Sequence, residues 1–241
     1  MSQSEQVSSP LSLSKSKRLL LIFGILFLQV GFNASGYGAG VASPAKLSAL
    51  GGMDFFALSS ALGTLGMMLT LPITGKLCDI FGIKAVTIVG VLIQSIAKLA
   101  IVFSQSTLSF LLLGFISSLG GGLFVAAPFS LIADIVVPDE RTKYFGLLTT
   151  FRAFGSLCGP LLSVILMDRG MIDYAFIAYF PFMILALPPL LFIYPARVKR
   201  VKSPVSNPFD IKSVVYLMVS VSCLILWLSL GGKSFAWLSI S

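Results

Sequence analysis

GKLCDIFGIK, Gly75 to Lys84, lies between two long apolar runs and carries three charges, Lys76, Asp79 and Lys84. The flanking runs, residues 54–74 and 84–104, are each about the 20 residues needed to cross roughly 30 Å of hydrocarbon as a helix. A short charged link between two such segments reads as a tight turn joining two transmembrane helices. Gly75 and Gly82 permit the reversal, because glycine adopts backbone conformations closed to other residues.

The whole chain has the same character. Its 241 residues are 56% hydrophobic and 11% charged, against about 25% charged in soluble domains. Mean hydropathy is +0.99. The apolar residues come in membrane-length blocks, where a soluble core would break them every few residues, so a lipid bilayer is the expected partner. A net charge of +8 invites a nucleic-acid reading, but the basic residues are spread thinly over short loops. They form no basic face with interleaved aromatics, and no nucleic-acid partner is expected. Cys78, Cys158 and Cys223 are too few and too scattered for a disulfide framework. Histidine is absent, which removes the commonest metal ligand, and there is no phosphate-binding loop, so neither cofactor nor enzymatic activity is expected.

The hydropathy pattern divides the chain into a polar amino terminus (1–18), six spans within 19–194, a basic linker (195–211) and a seventh helix with a short tail (212–241). The expected helices cover 19–42, 54–74, 84–104, 107–135, 145–167, 173–194 and 212–230. Lys15, Lys17 and Arg18 before Leu19 imitate a signal peptide, but the spans that follow favour an uncleaved first helix. Twelve Lys and Arg fall on the amino-terminal side of the membrane and four on the other, with Arg152 inside a span. By the positive-inside rule the amino terminus is cytoplasmic. Seven-helix receptors and rhodopsins have the opposite orientation, which favours a six-helix bundle plus the first helix of a further part.

The turn at 75–84 reads Gly, basic, Leu, any residue, Asp, two more, Gly, then a basic residue. This resembles the loop signature of the major facilitator superfamily, a class of secondary transporters. In that family the loop is a latch favouring the outward-facing state. The resemblance carries this role to Gly75, Lys76, Asp79, Gly82 and Lys84, and to the junction residues Asp134 and Arg141 in SLIADIVVPDERTK. The family's arginine after the second glycine is Ile83 here, so an ionic latch from Asp79 would use Lys84 or Arg141. The plain alternative is a charged loop obeying the positive-inside rule.

The fifth span carries Gly146, eight residues, Gly155, three residues, then Gly159-Pro160 and Ser163. It resembles the antiporter motif of drug:proton exchangers, with Ser163-Val164 in place of the usual trailing glycines. Gly155 and Gly159 lie one turn apart, a small-residue face for close helix contact. Pro160 removes a backbone donor and can bend the helix. The seventh segment, ending Leu-Ser-Leu-Gly-Gly before Trp237, resembles the helix after the central linker of fourteen-span exchangers.

Two family features are missing. The arginine associated with proton coupling in the fourth span is Gly114, and the first span has Gln29, Asn33, Ser35 and Tyr37 but no acid. Arg152 lies within the fifth span, either facing a wet cavity or snorkelling to the interface. Lys98, near the end of the third span, reads as a snorkelling anchor. Asn33, Tyr37, Gln94 and Arg152 are the candidate cavity residues, and a cavity with Arg152 and no acid would favour anionic or neutral substrates.

The resemblance implies an all-helical polytopic plasma-membrane carrier exporting small molecules or drugs by proton-coupled alternating access. A facilitator or anion-linked carrier without proton coupling is one alternative. The other is a transport-incompetent half-carrier with an assembly or regulatory role, or simply a fragment, since the partner helices of the latch would belong to a carboxyl-terminal half outside this chain.

Overall fold

Hydrocarbon offers no partner to a backbone N–H or C=O, so each apolar run must close its hydrogen bonds within itself, as an α-helix. The computed structural model describes residues 14–195 together with Tyr216, Val219, Ser220 and Cys223. Residues 1–13, the linker from 196 onward and the expected seventh span apart from those four positions lie outside the described residues.

Among the described residues the chain forms α1 (Lys15–Ala49), α2 (Phe56–Phe81), α3 (Ile83–Val102), α4 (Thr107–Val125), α5 (Ala127–Ile135), α6 (Arg141–Asp168) and α7 (Phe180–Phe192). Short 3-10 turns at Met53–Phe55, Pro138–Glu140 and Ile172–Phe176 precede α2, α6 and α7. Grouped by continuity, these make 6 helical segments long and apolar enough to cross a membrane. The protein is an all-α polytopic membrane protein.

Several helix ends differ from those expected. α1 continues through Pro44 to Ala49 and stops where Gly51 takes a positive φ of 67°. At 1.5 Å per residue its 35 residues reach ~52 Å, well beyond the bilayer core. α2 does not end before Gly75. It runs to Phe81, and the reversal into α3 is made at Gly82 alone, with φ 84°. Gly75, Lys76 and Asp79 therefore lie on the last two turns of a helix, and the ten-residue turn contracts to one glycine. The crossing at 107–135 is broken at Ala126, because Pro128 in the first turn of α5 lacks the N–H that would continue α4. The last crossing opens as a 3-10 turn, and α7 starts only at Phe180, with Pro181 in its first turn.

α1 is the central element and packs chiefly on α6 and α7, while α4 packs on both α2 and α3. Glycines set the closest approaches. A Cβ at Gly155 would lie 2.6 Å from the Val30 carbonyl oxygen, and one at Gly159 would overlap the Ala34 carbonyl oxygen. The two glycines let α6 lie against the backbone of α1 over successive turns. Gly90 and Gly120 bring α3 and α4 together in the same way, a Cβ on Gly120 meeting the Gly90 carbonyl oxygen at 2.6 Å. Gly75 and Gly146 have open space around them.

One core cluster joins Leu21, Ile25, Leu131, Ile132, Leu148 and Leu190 near the end that carries Gly82. A second joins Leu47, Ile101, Phe110 and Phe176 near the opposite end, with the last two rings edge-on at 6.1 Å. Between them, the buried Tyr179 hydroxyl donates to the Gly159 carbonyl at 2.8 Å and meets the Ser163 hydroxyl at 2.6 Å. That ties the start of α7 to α6 beside Pro160. Gly38 of α1 leaves room for the Tyr179 hydroxyl, which any side chain there would overlap.

Polar bonds close the two ends. At the Gly82 end, Lys84 Nζ donates to the Leu191 and Tyr194 carbonyls, both at 2.6 Å, holding the carboxyl end of α7 to α3. Arg18 pairs with Glu140 at 2.7 Å. At the other end Lys46 Nζ meets Asp173 at 2.5 Å and donates to the Val102 carbonyl at 3.4 Å.

Two contrasts test this packing. Gly159→Leu should destabilise the bundle by about 1–3 kcal/mol or prevent assembly, the range for overfilled cores, while Gly146→Ala should stay within roughly 0.5 kcal/mol of the parent. Lys84→Met, which removes charge-assisted bonds to two carbonyls, should cost about 1.5–3 kcal/mol. Asp79→Asn, at an exposed position, should be near neutral on the same scale. Unfolding of each variant in one detergent measures all four.

Candidate functional site

The helices flank an open cavity of about 520 Å³, lined by α1, α2, α3, α4, Arg152 of α6 and Phe176. Small residues line much of its wall. Gly121 of α4 faces the Phe32 ring, and Gly36, Gly40, Gly63 and Gly114 contribute wall without bulk. Small residues on several helices leave a space that large ones would fill.

Asn33, Tyr37, Gln94 and Arg152, four residues from three different helices, all line this one cavity. Asn33 and Gln94 are buried, whereas Tyr37 is exposed. The Asn33 amide donates to the Gln29 carbonyl at 2.8 Å, one turn back on α1. Gln94 Oε1 is buried without a hydrogen-bond partner. Arg152 lies eleven residues after the first residue of α6, deeper than the expected helix start at 145 would put it. Its side chain is exposed at the cavity. Gly114, where the resemblance expects an arginine, also lines the cavity.

Lys98 is the residue that sequence reasoning misplaced. As an interfacial anchor it would reach outward to water. Instead it is 5% exposed, and Nζ donates to the Ser35 carbonyl and hydroxyl of α1, both at 2.6 Å. It too lines the cavity. Its separation from Gln94 by four residues puts the two on one face of α3, a pattern visible in the sequence. Which neighbour that face meets was not visible.

The residues expected to form the latch divide. Gly82 makes the turn and Lys84 grips α7. Arg141 folds back over the end of α5, donating to the Ala133 carbonyl at 2.8 Å and the Val136 carbonyl at 3.3 Å. Helix carboxyl ends carry negative partial charge and attract such cations. Asp134 accepts a 2.7 Å bond from the Tyr194 hydroxyl. The expected ionic link from Asp79 to Lys84 or Arg141 is therefore not formed in this structure, since both cations are spent on backbone carbonyls and Asp79 faces outward.

The architecture can be set beside known proteins. A profile described as the Major Facilitator Superfamily matches residues 18–241. Multidrug resistance protein 3 of Bacillus subtilis is 29% identical over 191 residues, 79% of this chain and 36% of that protein. The multidrug transporter protein MdtP of the same organism is 27% identical over 223 residues, 92% of this chain and 40% of that protein. Multidrug resistance protein MdtH of Aeromonas salmonicida is 28% identical over 131 residues, 54% of this chain and 33% of that protein. The chain thus spans well under half the length of these relatives. With a family match that covers nearly the whole sequence and six membrane-length helices packed about one cavity, this chain belongs to the major facilitator superfamily.

Proposed function

We propose that the chain is the substrate-binding amino-terminal part of a secondary efflux carrier for small molecules or drugs, working by alternating access with a second helical unit. The observation that carries this reading is the 520 Å³ cavity, in which polar side chains of α1, α3 and α6 converge at mid-bundle among aromatic rings. Binding sites in such carriers lie near the bilayer midplane between two units that rock about them. The names of two relatives, multidrug resistance protein 3 and multidrug transporter protein MdtP, support export of drugs. The latch residues and the antiporter-like glycines support conformational exchange, with the amino terminus cytoplasmic and the plasma membrane as site of action.

Coupling to protons is the proposed energy source. A particular observation favours the second reading, transport without proton coupling. Among the described residues no carboxylate lines the cavity, and Gly114 stands where the family's coupling arginine is expected. A carrier that exchanges anions or equilibrates its substrate needs neither group.

Vesicles containing the chain together with its second helical unit decide between the two. Proton-coupled export predicts that uptake of a transported fluorescent amphipath into everted vesicles falls about tenfold, a change of 1.4 kcal/mol in driving force, when the pH gradient is collapsed. Uptake indifferent to the gradient selects the facilitator reading, and transport of no compound in a panel of anionic, neutral and cationic amphipaths overturns both. Arg152→Ala should slow transport of anionic members about tenfold or more, as expected for loss of a bond to a charged group, and unchanged anion transport would remove Arg152 from the site.

A further inference from the structure

The cavity holds an electrostatic imbalance that the efflux reading does not by itself require. Two of its lining residues are cations, Lys98 and Arg152, and none is acidic. Every described Asp and Glu lies at an α-helix end or in a 3-10 turn. Lys98 is the costlier charge. It is 5% exposed, inside a membrane span, and its two described acceptors are the uncharged oxygens of Ser35. A buried ammonium without an anion loses most of its hydration and gains little in return. An intramembrane charge retained on those terms points to a ligand.

Three further observations define that ligand. An ammonium has three N–H donors, and the described hydrogen bonds of Lys98 account for two. One turn away, Gln94 is 4% exposed and its Oε1 has no partner. Leaving such an acceptor buried and unpaired is costly, so the occupant should bring a donor. Around them Phe32, Phe56, Phe110 and Phe176 line the same cavity and offer flat apolar surface. Resting on the reading of the cavity as the substrate site, we infer that its preferred ligand class is the aromatic carboxylate bearing a hydroxyl or N–H, with Lys98 holding the carboxylate, Gln94 accepting from the donor and the phenylalanines flanking the ring. Ser35 acts as a positioning residue, fixing the ammonium at the cavity wall through its carbonyl and hydroxyl.

Equilibrium binding to the purified full chain in nanodiscs tests this, with empty nanodiscs subtracting lipid partition. The probes are 6-hydroxy-2-naphthoate and its neutral analogue 6-hydroxy-2-naphthamide, which share a ring and differ in charge. The wild-type chain should bind the carboxylate about tenfold more tightly than the amide, the scale of one bond to a charged group. Lys98→Met should remove most of that preference with amide binding retained, and Lys98→Arg should keep most of it. Equal binding of the two probes by the wild type overturns the inference and leaves the efflux reading standing. Binding of neither probe overturns the inference and withdraws the cavity's assignment as a substrate site. A preference that survives Lys98→Met but vanishes in Arg152→Gln overturns the assignment to Lys98.

Discussion

The structure depends on the close approach of α1 and α6. Gly155 and Gly159 expose their backbone to the carbonyls of Val30 and Ala34, and no other residue type fits between the two helices. In lipid, helices are not driven together by exclusion from water, so intimate packing and polar bonds must supply the attraction. Small residues achieve the packing, and the Tyr179 hydroxyl, bonded to Gly159 and Ser163, adds the polar tie to the next crossing. Once α6 is seated on α1, Arg152, one turn before Gly155, is committed to the cavity side. The contact that holds the fold also places this charge at the cavity.

The charges are sorted by depth. Near the helix ends, Lys84 and Arg141 bond to backbone carbonyls, and Arg18 and Lys46 pair with carboxylates. Such groups fasten neighbouring crossings where water and headgroups lessen the cost of charge. Inside the bundle the pattern changes, and Lys98 and Arg152 face a shared cavity without an acid among its lining residues. A bundle stabilised at its ends can tolerate this imbalance in its middle, and the imbalance is what would make the site selective.

The stretch from Gly75 to Lys84 shows how a motif and its geometry can part. The spacing of Gly75, Lys76, Asp79, Gly82 and Lys84 led to the right family. It misled about local shape, because a Gly-rich charged stretch has the composition of a loop, whereas six of its residues continue α2 from Gly75 to Ile80 and Phe81 ends the helix. Helix propensity and the demand for internal hydrogen bonds outweigh that composition until Gly82 provides a positive φ. Likewise the polar stripe of Gln94 and Lys98 was legible as a pair on one face of α3. Lysines near span ends commonly snorkel, and that general tendency pointed away from the cavity.

Membrane residence, the six crossings within residues 19–194, the family and the small-residue face of α6 were determined by the sequence alone. Each rests on composition or on spacing along a single helix, and both are local. The convergence of Asn33, Tyr37, Gln94 and Arg152 on one cavity, the inward turn of Lys98 and the diversion of Lys84 and Arg141 to backbone carbonyls were decided only by the tertiary structure. The reason is physical. A helix repeats every 3.6 residues and so states which residues share a face, but which neighbour that face meets depends on contacts between crossings far apart in the chain.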